Sequence, residues 1–121
     1  MPRLSLASYI DPYSVCSDTG VVEAYIADPF NHGRVTTRWF SEYMKAIERV
    51  KLEAKQISTP IAIWHGDGDA LVAPWVSDEF FKRLSTPHRQ RKVVSSALHE
   101  ILLEPSWRET LQDIKNWLEQ F

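Results

Sequence analysis

At 121 residues, with 44% hydrophobic and 25% charged side chains, the chain has the size and composition of one small globular domain, which excludes intrinsic disorder. Fourteen Lys and Arg against sixteen Asp and Glu leave a formal charge of -2, so there is no electrostatic basis for binding nucleic acid or an anionic membrane. No apolar run approaches the roughly 20 residues that span a bilayer, no basic-then-apolar leader opens the chain, and the single cysteine, Cys16, allows no internal disulfide.

Residues 1–20 carry Pro2, Pro12 and Gly20 among small polar residues without a period, which predicts an extended or irregular entry segment. Residues 21–27 suit a short helix stopped by Asp28 and Pro29, because the residue before a proline is driven out of the helical region. Phe30, Asn31, His32 and Gly33 follow as a turn. From Val35 onward Trp39, Phe40, Tyr43, Met44, Ile47 and Val50 recur at helical spacing, with Arg38, Glu42, Lys45, Glu48 and Arg49 on the other face, so the longest helix is expected over 35–51.

Ser58, Thr59 and Pro60 break that pattern. Ile61, Ala62, Ile63 and Trp64 form an apolar run without alternation, as in a parallel strand covered on both faces. After a turn over 66–70, Pro74 starts a helix over 75–85 striped by Val76, Phe80, Phe81 and Leu84, and Pro87 ends it. The basic run at 88–92 reads as a solvated loop, and Lys92, Val93 and Val94 begin a second strand. Strand, helix and strand in that order form a right-handed parallel crossover. Ser106 with Glu109 fits a capping box ahead of a terminal helix striped by Trp107, Leu111, Ile114, Leu118 and Phe121. The fold class is α/β: two parallel strands with flanking helices.

In open α/β sheets reactive groups gather in loops at the carboxyl ends of the strands. The first strand is followed by His65, Asp67 and Asp69, and the second leads to His99 and Glu100. A carboxylate on one loop and an imidazole on the next can hydrogen-bond, which is the pairing a general base needs for a fixed tautomer and a stabilised imidazolium. Asp69 and His99 are the candidates; the alternatives are a turn-forming aspartate and a hydrogen-bonded loop histidine. Asp67 competes with Asp69, and His65, Asp67 and Asp69 together make a weak metal signal. His65 is expected to order the strand end through backbone hydrogen bonds. Glu100 is expected to be a loop support and Glu104 a helix amino-terminal charge, and Trp75, after the acid loop, is the tryptophan expected near substrate.

The run IAIWHGDGDALVAP at 61–74, the spacing to Leu98, His99 and Glu100, and the ending LEPSWRETLQDIKNWL resemble the carboxyl-terminal part of α/β-hydrolases of the monoacylglycerol lipase, lysophospholipase and serine aminopeptidase type. The resemblance implies Asp69 as catalytic acid and His99 as catalytic base, and it requires no metal or other cofactor. It implies an entry segment and helical cap over 1–55 and a carboxyl-terminal core over 56–121, with Val21, Tyr25, Phe30, Trp39 and Phe40 lining an acyl pocket. The substrate implied is a small acyl ester or lipid, monoacylglycerol or lysophospholipid. The expected location is cytoplasmic, with or without peripheral membrane association.

The chain departs from the family at the nucleophile. A serine elbow needs Gly-x-Ser-x-Gly, and none of Gly20, Gly33, Gly66 and Gly68 brackets a serine at that spacing. By the family's layout the serine, the oxyanion loop and the earlier strands precede residue 1. The chain is then expected to expose a sheet edge open to an amino-terminal hydrolase segment or to self-association. Two other readings stay open at this point: a peptidase or acyltransferase of the same fold, and a noncatalytic module derived from it.

Overall fold

The computed structural model describes residues 4–121; Pro2 and its neighbours at the start of the expected entry segment lie outside the described residues. The frame is the parallel pair β3 (Ile61–Gly66) and β4 (Arg89–Val94), in register from Ile61 opposite Arg89 to Gly66 opposite Val94. Helix α3 (Pro74–Arg83) crosses between them. The expected crossover unit is therefore present, and β3 runs two residues past the apolar stretch because His65 and Gly66 continue the ladder.

Side chains alternate across a strand, so His65 faces α3 while Trp64 faces α4 (Trp107–Leu118), where its ring meets Trp117 edge-to-face at 6.3 Å. Among the described residues β3 pairs only with β4, which leaves its other edge open. The Trp64 indole N–H is buried and has no partner there.

The basic run at 88–92 is not a solvated loop. Arg89 and Arg91 belong to β4, where their long stems lie along α3 and their head groups supply donors to its carbonyls. The Arg89 guanidinium bonds Leu84 O and, at 2.9 Å, Phe81 O, two carbonyls at the helix end, and sits 5.1 Å from the centre of the Phe81 ring. Strand β4 consequently begins three residues before Lys92.

The entry is more ordered than its sequence suggests. Strand β1 (Ser5–Ala7) pairs antiparallel with β2 (Arg34–Thr36), and the Arg34 side chain ties them by donating to Ser5 Oγ at 2.9 Å. Between them α1 (Thr19–Ala27) starts where Asp18 Oδ1 accepts the N–H groups of Gly20 and Val21. Helix α2 (Thr37–Glu53) is capped by Thr36 Oγ1, which accepts Trp39 N–H at 3.1 Å.

The capping box expected at Ser106 is absent. Ser106 has near-helical backbone angles (φ -86, ψ 10) rather than the extended ones a cap needs, so its hydroxyl makes no capping bond. Glu104 O receives the Trp107 N–H instead.

Candidate active site

Gly66 ends β3 against the backbone of the following strand's loop. A Cβ there would lie 2.3 Å from both Ala97 O and Leu98 O, so only glycine lets the 97–98 backbone rest on the strand end. The two loops then interlock: Asp67 N–H bonds Val94 O at 3.1 Å, Gly68 N–H bonds Ala97 O at 3.0 Å, and Asp67 Oδ1 accepts Ser96 N–H at 2.7 Å. Asp67 thus joins the loops, whereas Asp69 is the aspartate hydrogen-bonded to His99.

Asp69 is 6% exposed, and all its hydrogen bonds converge from short range. Oδ1 accepts Leu71 N–H and Val72 N–H, both at 2.9 Å. Oδ2 lies 2.9 Å from His99 Nδ1 and 3.0 Å from His65 Nε2. Burial pushes this carboxyl upward, but the bonds from Val72, His99 and Leu71 outweigh it and hold the group below the ordinary carboxylate value. Asp69 is therefore a fixed, ionised acceptor, while the His99 side chain is 36% exposed. Such a pair fixes one imidazole nitrogen as a donor and leaves the other to exchange a proton.

Glu104 is 1% exposed and supports the His99 loop from below. Its carboxylate accepts Leu98 N–H at 2.8 Å, Ser17 N–H at 3.2 Å and the Ser17 hydroxyl. Glu100 N–H bonds Val15 O at 2.9 Å, and Cys16 Sγ reaches Leu103 O, so the entry segment is stitched to both sides of His99. Glu104 is thus a loop support and not the helix amino-terminal charge expected of it, and its reach to Ser17, 87 residues away, is a tertiary fact.

His65 bonds one backbone carbonyl, Val72 O at 2.8 Å, as expected, and additionally touches Asp69 and Ser77. Among the described residues no His, Cys, Asp and Glu group has the arrangement of a metal site.

An open cleft of about 1020 Å³ runs between α2 and α3, with Tyr43, Met44 and Val50 on one wall and Leu71, Trp75 and Phe80 on the other. Leu71 and Val72, whose N–H groups hold Asp69, belong to its lining, so the cleft abuts the acid loop. Trp75 is there as placed. Val21, Tyr25, Phe30, Trp39 and Phe40 do not line this cleft; Phe30 is 87% exposed and Trp39 stacks on Tyr43 at 5.1 Å.

Against known proteins, the sequence pattern of the hydrolase family described as serine aminopeptidase, S33, matches residues 1–106. A monoacylglycerol lipase of Mycolicibacterium smegmatis is 27% identical over 110 residues, covering 90% of this chain and 39% of that protein. An uncharacterized abhydrolase domain-containing protein of Dictyostelium discoideum is 26% identical over 99% of this chain and 13% of its own length. Among solved structures, the monoacylglycerol lipase of Paleococcus ferrophilus superimposes with a TM-score of 0.91 at 29% identity, over 97% of this chain and 46% of that one. A soluble variant of monoglyceride lipase from Saccharomyces cerevisiae, in complex with a substrate analog, gives 0.87 at 21% identity over 98% and 44%, a likeness of fold. The chain spans less than half the length of each of these relatives. Its two parallel strands and flanking helices are a carboxyl-terminal portion of the α/β-hydrolase fold.

Proposed function

The chain belongs to the serine aminopeptidase S33 family of hydrolases, and from that premise we propose that it supplies the acid and base of a serine hydrolase acting on carboxylic esters, with monoacylglycerol or lysophospholipid as substrate. The observation that carries this reading is the 2.9 Å contact between buried Asp69 and half-exposed His99, on two loops at the carboxyl ends of adjacent parallel strands.

In this reading His99 accepts the proton of the attacking serine at Nε2 while Asp69 holds the Nδ1–H and stabilises the imidazolium. His99 then returns the proton to the leaving alcohol, and in the second half-reaction it deprotonates the water that releases the acyl group. Neither step needs a cofactor. The serine and the oxyanion donors come from a hydrolase segment outside these 121 residues, since no Gly-x-Ser-x-Gly occurs in them. The edge of β3 left open among the described residues supports the addition of that segment's strands there. Residues 1–55 supply the entry segment and the helical cap, and the apolar cleft between α2 and α3 takes the acyl chain.

A fluorophosphonate probe, which labels only an activated serine, tests this. The chain alone stays unlabelled, and the hydrolase in which it forms the carboxyl-terminal part is labelled in a His99-dependent way. Turnover of aminoacyl amides in place of acyl esters would move the assignment to a peptidase. Labelling that survives His99→Ala would refute it.

A further inference from the structure

Asp69 Oδ2 is shared by two imidazoles, and only one belongs to the relay just described. His65, on the last turn of the β3 ladder, places Nε2 3.0 Å from that oxygen and 2.8 Å from Val72 O. A carbonyl can only accept, so Nε2 carries a proton and donates it to both oxygens. The other ring nitrogen is 2.8 Å from the hydroxyl of Ser77 on α3.

The hydroxyl of Ser77 has one proton and two acceptors in reach, His65 Nδ1 and Pro74 O, the latter at 3.0 Å. Arg91, from β4, decides between them. Its Nη2 already donates to Pro74 O at 2.8 Å, and its Nε donates to Ser77 Oγ at 3.2 Å. With Pro74 O supplied and one Ser77 lone pair taken by the guanidinium, the hydroxyl proton is free for His65 Nδ1. The ring is mostly buried, its side chain 11% exposed.

We infer that His65 is a positioning residue: an imidazole held as the Nε2–H donor by Val72 O, with Nδ1 on the Ser77 hydroxyl that Arg91 braces, which fixes the Asp69 carboxylate for His99 and draws off part of its basicity. This rests on the catalytic reading of Asp69 and His99. Each carboxylate oxygen then has its donors, two backbone N–H groups on Oδ1 and two imidazole N–H groups on Oδ2, so the plane in which His99 must bond is set from three elements.

The test is nitrogen-resolved imidazole NMR on the chain at a mildly alkaline pH. His65 is expected to show Nε2 protonated and Nδ1 bare, and His99 the opposite pattern. His65→Phe removes the donor and is expected to move the His99 Nδ1 proton downfield, because a more basic carboxylate draws it further; His65→Gln, which keeps an amide N–H, is expected to restore most of the original position. Ser77→Ala, a small change that removes only the partner of Nδ1, is expected to leave Nε2 protonated and to shift the Nδ1 resonance. A His65 protonated at Nδ1, or a His99 proton unmoved by His65→Phe, would overturn the inference. A His99 protonated at Nε2 would instead break the relay itself, through a signal separate from that of His65.

Discussion

The buried carboxylate of Glu104 accepts the backbone N–H of Leu98 at 2.8 Å and thereby sets the residue immediately before His99. The same group holds Ser17, so Glu104→Ala leaves at least two part-buried backbone donors without their acceptor. The expected loss is about 1–3 kcal/mol for the unsatisfied groups, read from the urea midpoint. Glu104→Gln keeps one acceptor oxygen and is expected to lose less.

Gly66 and Gly68 differ in what surrounds them. At Gly66 an added methyl meets two backbone carbonyls at 2.3 Å, whereas at Gly68 the nearest atom is the flexible Leu98 Cδ2 at 3.0 Å. Gly66→Ala is expected to cost about 3 kcal/mol, the upper end for overpacking, and to displace the His99 loop. Gly68→Ala should cost clearly less. Equal losses in thermal melts would show that the strand end yields more than this geometry allows.

The lowered Asp69 value has a signed consequence. A group depressed on folding contributes stability that is complete above its unfolded value of 3.8 and is lost as pH falls through the lower folded value. Asp69→Asn is expected to destabilise the chain near neutral pH, and the gap from wild type should narrow as acid protonates Asp69. Urea midpoints recorded from about pH 7 to pH 3 measure this; a gap constant across that range contradicts it.

The cleft predicts chain-length selectivity in the hydrolase. Val50→Trp fills part of the α2 wall and is expected to exclude about two methylenes of a long acyl chain. At roughly 0.8 kcal/mol each, that lowers kcat/KM for long-chain monoacylglycerols about tenfold relative to short-chain esters. An equal effect on both chain lengths would place the acyl group elsewhere.

What could be read from the sequence follows from the range of the interactions involved. Helices α2, α3 and α4 show themselves through apolar stripes at helical spacing, and strand β3 through an unbroken apolar run. Strands β1 and β2 span three residues each, too short for an alternation to register. The start of β4 is hidden because Arg89 and Arg91 look like solvent residues until α3 supplies their carbonyl partners. At the site, the pairing of Asp69 with His99 is legible from the loop positions they occupy. Glu104 and the Ser77–Arg91 support of His65 are not, since those partners lie 87 and 14 residues apart in the chain and meet only after folding. An acid embedded between Leu103 and Pro105 was the one local hint.

The most direct measurement of the central claim is kcat for ester hydrolysis by the hydrolase that carries this segment, compared among wild type, His99→Ala and Asp69→Asn. The account predicts losses on the order of 10⁴-fold for each variant and a double variant little worse than either, because acid and base act as one unit. Turnover within a few-fold of wild type in either single variant, with the fold intact, would contradict it.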